Sequence, residues 1–161
     1  MDQTTPQLQK ATFGAGCFWG VEAAFRRLAG VTETAVGYQG GTTSQPTYKQ
    51  VCNGDTNHAE VVQVTFDPKV ISYHDLLETF WANHNPTTLN YQGPDFGTQY
   101  RSVIFFHSPE QEAEAKASMA AAQAHFSRPI VTQIEAAPEF WPAEDYHQQY
   151  LEKRGLASCH T

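Results

Sequence analysis

A cysteine lies in the stretch Gly14-Ala15-Gly16-Cys17-Phe18-Trp19-Gly20, where a strand is predicted to turn into a helix. The first turn of a helix offers unpaired N–H groups and a partial positive charge, and both favour the thiolate, the reactive form of cysteine. An ordinary thiol, with a pKa of about 8.5, is only a few per cent ionised at neutral pH, and a helix N-terminus can lower that pKa to roughly 3.5–7.5. A small buried core residue is the plainer reading of an isolated Cys. Two aromatics beside the thiol, bounded by glycines, point instead to an apolar wall around a reactive sulfur.

Glu60 is the second informative residue. It precedes Val62, Val64 and Phe66 at a spacing of two, so its side chain shares their face of a strand. A carboxyl on an apolar face is costly unless paired or protonated. Burial raises its pKa and makes a proton donor usable at neutral pH. The alternative is a strand edge from which Glu60 reaches water. Cys159 lies close to the C-terminus, where a thiol on a flexible segment can reach a distant site or can be incidental. Cys52 reads as structural. Tyr48 and Tyr100 are polar-tipped aromatics in or beside loops, for which packing is the default. Asp95 lies in a long loop, where a turn role is the default. His58 and His147 read as core or surface histidines.

The elements that must position these groups follow from periodicity. Lys10 to Phe13 reads as a strand. Val21, Ala24, Phe25 and Leu28 define a helix closed by Gly30, with Glu22 in its first turn. Glu33 to Tyr38 and Val61 to Phe66 read as strands, the first ended by Gly40-Gly41, the second by Asp67-Pro68. Ser72-Tyr73-His74-Asp75 opens a helix with a capping box, and Leu76, Leu77, Phe80, Trp81 and His84 supply its buried face. An irregular stretch spans 85–99, and a loop of that length is usually functional. Arg101 to His107 is a strand. Ser108-Pro109-Glu110-Gln111 starts a helix with an N-cap and Pro at N1. Ile130 to Ala136 is a strand, and Pro142 to Lys153 a short helix ending at Gly155. Interleaved strands and helices make the class α/β or α+β with a mixed sheet.

The whole chain sets bounds. Its 161 residues are one domain, 1–161, with flexible tails expected at 1–9 and 156–161. A hydrophobic fraction of 40% fits a compact fold. A net charge of −7 without any run of Lys or Arg argues against nucleic acid and anionic membrane as partners. No apolar run approaches a membrane span, and the first ten residues lack a signal-peptide core, so a cytoplasmic protein is expected. Three cysteines in a chain of this length do not make a secreted disulfide framework, and any disulfide in a reducing compartment is catalytic and transient. The cysteines and seven histidines show no CxxC or HxxxH spacing for zinc.

Gly16-Cys17-Phe18-Trp19-Gly20 resembles the signature of the A-type peptide methionine sulfoxide reductases. Tyr38-Gln39-Gly40-Gly41, Pro46-Thr47-Tyr48, His58-Ala59-Glu60, Phe80-Trp81, the run from Gly97 to Ser102 and the run from Pro142 to Leu151 follow in that family's order. The chain departs from the commoner pattern at Asn57, where glycine is usual, at Asn85, where Asp often precedes Pro-Thr, and at Phe140-Trp141, where Phe-Tyr is more common.

The resemblance implies a single α+β domain with a mixed, rolled β-sheet flanked by helices. It implies Cys17 as nucleophile, Phe18 and Trp19 as the pocket for the substrate's S-methyl group, and Glu60, Tyr48 and Tyr100 as hydrogen-bond partners of the sulfoxide oxygen, with Glu60 as acid. Asp95 would orient water or substrate. Members act on the S epimer, free or in proteins. Cys17 would end as a sulfenic acid that a second thiol, for which Cys159 is the best placed, condenses to a redox-active disulfide. Thioredoxin would reduce that disulfide, the protein would act as a monomer, and no metal or organic cofactor would be required. Rival readings are a cysteine hydrolase using His147 and Asn85, a thiol peroxidase or redox sensor using Cys17 and Cys159, and a methionine-binding module with an inert Cys17. Only the reductase reading needs a buried carboxylic acid at Glu60.

Overall fold

The computed structural model describes residues 8–53, 56–93 and 95–150. A six-stranded mixed sheet carries the fold in the order β7-β6-β1-β3-β2-β8, from β1 (Gln9–Ala15), β2 (Val31–Gln39), β3 (Ala59–Phe66), β6 (Ser102–Phe106), β7 (Gln133–Ala136) and β8 (Trp141–Pro142). All neighbours are antiparallel except β6 and β7. Parallel neighbours need a long crossover, and α4 (Pro109–Ala122) provides it. Two residues each, β4 (Tyr91–Gln92) and β5 (Asp95–Phe96), form a separate hairpin.

Period-two alternation sorts the strand residues onto two faces. Phe13, Val36, Val62, Val64, Phe66 and Ile104 pack with Phe25, Leu76, Leu77 and Phe80, which come from α1 (Phe18–Arg26) and α3 (Tyr73–Ala82). Phe13 stacks on Phe25 with centroids 5.0 Å apart and meets Phe80 at 5.3 Å. Burying one such side chain contributes about 1.5–3 kcal/mol. The other face carries the smaller cluster Ala59, Val61, Val103 and Phe105.

The elements predicted as far as Ala136 are present with shifted ends. The capping box of α3 forms, Ser72 Oγ accepting the Asp75 N–H at 3.1 Å. Ser108 caps α4 with Pro109 in its first turn. β1 begins at Gln9 rather than after it, and α1 stops at Arg26, short of Leu28. Glu22 is not in the first turn of α1 but on its buried side, 1% exposed, where its carboxylate accepts Thr34 Oγ1–H at 2.7 Å and the Gln149 N–H at 2.7 Å. Unforeseen elements include the β4–β5 hairpin and α2 (Tyr48–Cys52), with its own capping box from Thr47 and Gln50.

The helix expected over Pro142 to Lys153 is absent over 142–149; Tyr150, the last described residue, is helical. Trp141 and Pro142 pair with Tyr38 and Gly37 as an edge strand, and Asp145–His147 is one 3₁₀ turn. Gln149 has φ +50°, which no right-handed helix contains. Lys153, Gly155, residues 1–7 of the tail expected at 1–9 and all of the tail expected at 156–161 lie outside the described residues, whereas Gln9 belongs to β1 rather than to a tail.

Candidate active site

The end of β1 and the start of α1 set the position of Cys17. Gly16 turns the chain at φ +100°, a conformation L side chains rarely adopt, and a Cβ there would lie 2.9 Å from the Gln92 side chain. Cys17 is the N-cap of α1 and is partly exposed. Phe18 is the first helical residue. Its N–H, one of the groups the helix leaves unpaired, is donated to Glu60 Oε1 at 3.2 Å. Thus Glu60 sits on the helix-facing side of β3, in register with Tyr38 and 1% exposed. The alternation read from sequence placed it on this face; the open choice between burial and a solvated edge resolves to burial.

Two tyrosines converge on that carboxyl. Burial and the charge of Glu60 push the Tyr48 hydroxyl well above its ordinary pKa. Burial, then Glu60, Cys52, Asp95 and Cys17 do the same to Tyr100. Both phenols therefore stay protonated at neutral pH and serve as donors. Asp95, in β5, enters the site through Tyr100. Phe18 is 1% exposed, whereas Trp19 is partly open. Phe18 meets Tyr48 at 6.3 Å and His147 at 5.2 Å; Trp19 meets Tyr48 at 6.4 Å and Tyr150 at 3.8 Å. The sequence-predicted residues Cys17, Glu60, Tyr48, Tyr100, Asp95, Phe18 and Trp19 thus come together. Cys159 lies outside the described residues.

Cys52, read as structural, is exposed, and its sulfur is hydrogen-bonded to the Tyr48 hydroxyl. Burial of the sulfur raises its pKa, partly offset by that bond. His58 is structural as read: Nδ1 accepts the Gly41 N–H at 2.9 Å, and Nε2 lies 2.6 Å from the Thr43 carbonyl. Sequence reasoning missed Glu144. Its two oxygens accept Tyr38 Oη–H at 2.9 Å and the Tyr48 N–H at 3.0 Å, so it fixes the start of α2. Burial acts to raise the Glu144 carboxyl, but the Tyr48 N–H, its own N–H and the Tyr38 hydroxyl outweigh it and hold it below the usual range. The one legible signal for α2 was Thr47-x-x-Gln50. Among the described residues no His, Cys, Asp and Glu cluster could hold a metal, and no helix is long and apolar enough to cross a membrane.

The departures from the commoner pattern fit this geometry. Asn57 has φ +61°, where glycine is easiest and Asn is next best tolerated. Asn85 Oδ1 accepts the Thr87 N–H at 3.0 Å and its hydroxyl at 2.6 Å, a turn an Asp carboxylate would also make.

The peptide methionine sulfoxide reductase family model matches residues 9–161. The chain belongs to the peptide methionine sulfoxide reductase family. It is 65% identical over 156 residues to the peptide methionine sulfoxide reductase MsrA of Methanoculleus marisnigri, covering 96% of this chain and 95% of that protein. With the Geobacter metallireducens MsrA the identity is 61%, over 99% of each. The reduced form of Mxr1 from Saccharomyces cerevisiae has a similar structure, with a TM-score of 0.89 and 41% identity over 92% of this chain and 87% of that one. Mxr1 solved in complex with Trx2 matches with a TM-score of 0.65 and 26% identity, over 93% of this chain and 92% of that one. The chain is accordingly an oxidoreductase with peptide methionine sulfoxide reductase activity.

Proposed function

We propose that the chain reduces the S epimer of methionine sulfoxide, free and protein-bound, by a sulfenic acid route. The Cys17 thiolate attacks the sulfoxide sulfur while Glu60 donates its proton to the oxygen and Tyr48 and Tyr100 hydrogen-bond to it. The protonated oxygen then passes from the substrate sulfur to Cys17: the substrate's sulfur–oxygen bond and the sulfur–sulfur bond made in the attack both break, and a Cys17 sulfur–oxygen bond forms. Methionine leaves, two electrons richer, and Cys17 is oxidised by two electrons to S–OH. Positioned proton donation of this kind contributes roughly 10²–10⁴-fold in rate. Trp19 and Phe18 wall the methyl group, and Asp95 acts through Tyr100.

The observation that carries this reading is the Phe18 N–H to Glu60 bond, which joins the thiol and the buried carboxyl at one helix N-terminus. Cys159 then attacks the sulfenic sulfur, water leaves, and a Cys17–Cys159 disulfide forms for thioredoxin to reduce. Reach supports this assignment. Tyr150 stacks on Trp19, and the nine residues from there to Cys159 can span up to about 30 Å. The raised pKa of Cys52 and its bond to Tyr48 make it the poorer resolving thiol. Such a cycle suits a reducing compartment, the cytoplasm, and a role in repairing oxidised proteins. The similarity to Mxr1, solved with Trx2, supports thioredoxin as the reductant.

A thiol count tests this. Adding methionine S-sulfoxide without reductant should yield one methionine and consume two thiols per chain. In Cys159→Ser, one methionine should still form, and Cys17 should be trapped as a sulfenic acid. Continued turnover of Cys159→Ser with thioredoxin would refute the resolving assignment, and methionine formation by Cys17→Ser would refute the nucleophile.

A further inference from the structure

His147 lies at the centre of the ring cluster and has no place in the chemistry above. It is fully buried, with ring centroids 4.4 Å from Tyr48, 5.2 Å from Phe18, 5.5 Å from Trp19 and 4.0 Å from Tyr146. Its Nδ1 accepts the Trp19 indole N–H at 2.9 Å. An acceptor at Nδ1 requires the neutral ring with its proton on Nε2. Burial favours that neutral ring, opposed by the nearby Glu144 carboxylate. The Nε2 atom is itself buried and has no hydrogen-bond partner among the described residues. A phenyl ring would fill the same slot without that orphan, so packing alone does not account for an imidazole here. What the imidazole adds is an acceptor for the indole.

We propose that His147 is a positioning residue of the substrate pocket, which sets the plane of the Trp19 indole by accepting its N–H and so holds the ring as a wall for the sulfoxide methyl group. This rests on Trp19 lining that pocket. Tyr150 stacks on the indole at 3.8 Å and 11°, which fixes the ring's tilt but leaves it free to turn in its own plane. The hydrogen bond to His147 removes that rotation. A wall touches the methyl group in substrate and transition state alike, so loosening it acts on KM more than on kcat.

The test compares His147→Phe, His147→Asn, Trp19→Phe and the double variant His147→Phe/Trp19→Phe in steady-state assays with methionine S-sulfoxide. His147→Phe keeps a ring and loses the acceptor; KM should rise about tenfold with kcat within about threefold. Asn offers an oxygen near the Nδ1 position, and His147→Asn should recover most of that loss. In the Trp19→Phe background His147→Phe should add nothing further, since the indole N–H it served is gone. If His147→Phe matches the unaltered enzyme, or if His147→Asn is as impaired as His147→Phe, the proposal fails while the pocket stands. If Trp19→Phe leaves KM unchanged, the pocket reading fails and takes the proposal with it. Imidazole ¹⁵N spectra of the unaltered enzyme decide the matter without a variant: Nδ1 should be the unprotonated nitrogen, and a proton on Nδ1 would overturn the assignment.

Discussion

Glu60 is under two opposed influences. Burial disfavours its carboxylate, while the Phe18 N–H and the positive end of α1 favour it. Glu60→Gln retains both an acceptor for Phe18 and a donor toward substrate, so its kcat/KM should fall by less than about tenfold. Glu60→Ala removes both and should lose about 10²–10³-fold. Full activity in both variants would take Glu60 out of the mechanism. At this scale the sequence was informative because each residue type was costly where it stood. A carboxyl on an apolar strand face and a thiol at a helix start are legible from spacing alone. Tyr48, Tyr100 and Asp95 were not, because nothing local separates a packed phenol from a catalytic one; only the family motifs pointed to them.

At the scale of elements, strands and capped helices were legible because their periodicity agreed with their packing. The segment 141–150 was not. Its polar composition suits a helix, but its side chains spend their hydrogen bonds on other elements. Gln148 Oε1 accepts the Val36 N–H and Nε2 donates to the Val36 carbonyl, both at 2.9 Å. Glu144 holds α2, and Gln149 reaches Glu22 in α1. Tertiary bonds therefore override the local propensity, and the segment acts as a strap over β2, α1 and α2. Glu22 is its buried anchor. Glu22→Ala leaves Thr34 Oγ1–H, the Gln149 N–H and the Gln149 amide without their acceptor and should cost about 3 kcal/mol in urea unfolding. Glu144 is less buried, and its effect should be local. Glu144→Ala should lower kcat/KM about tenfold by releasing Tyr48 while changing the unfolding midpoint little. A loss of stability in Glu144→Ala matching that of Glu22→Ala would contradict this division between site and scaffold.

At the scale of the whole molecule, the helical layer is joined to the sheet by a titratable group. His84 follows α3; its Nδ1 lies 2.6 Å from the Phe80 carbonyl and its Nε2 lies 2.7 Å from Ser102 Oγ, which in turn bonds Thr132 Oγ1. Sequence periodicity assigned His84 to an apolar face and said nothing of this link, which joins residues distant along the chain. Burial pushes its pKa down to about 4, against an ordinary 6.5, with the Phe80 carbonyl pulling the other way. The unfolded chain therefore takes up the proton before the folded one does. Stability from the neutral ring is complete above pH 6.5 and declines as pH falls toward 4, by about 3 kcal/mol over that window. Asn at this position keeps a donor near Nδ1 and does not titrate. His84→Asn should be less stable than the unaltered protein at pH 7, but its urea midpoint should fall less between pH 7 and pH 4.5. If both proteins lose stability in parallel over that interval, His84 carries a charge in the folded state and the carboxyl groups alone account for the acid sensitivity.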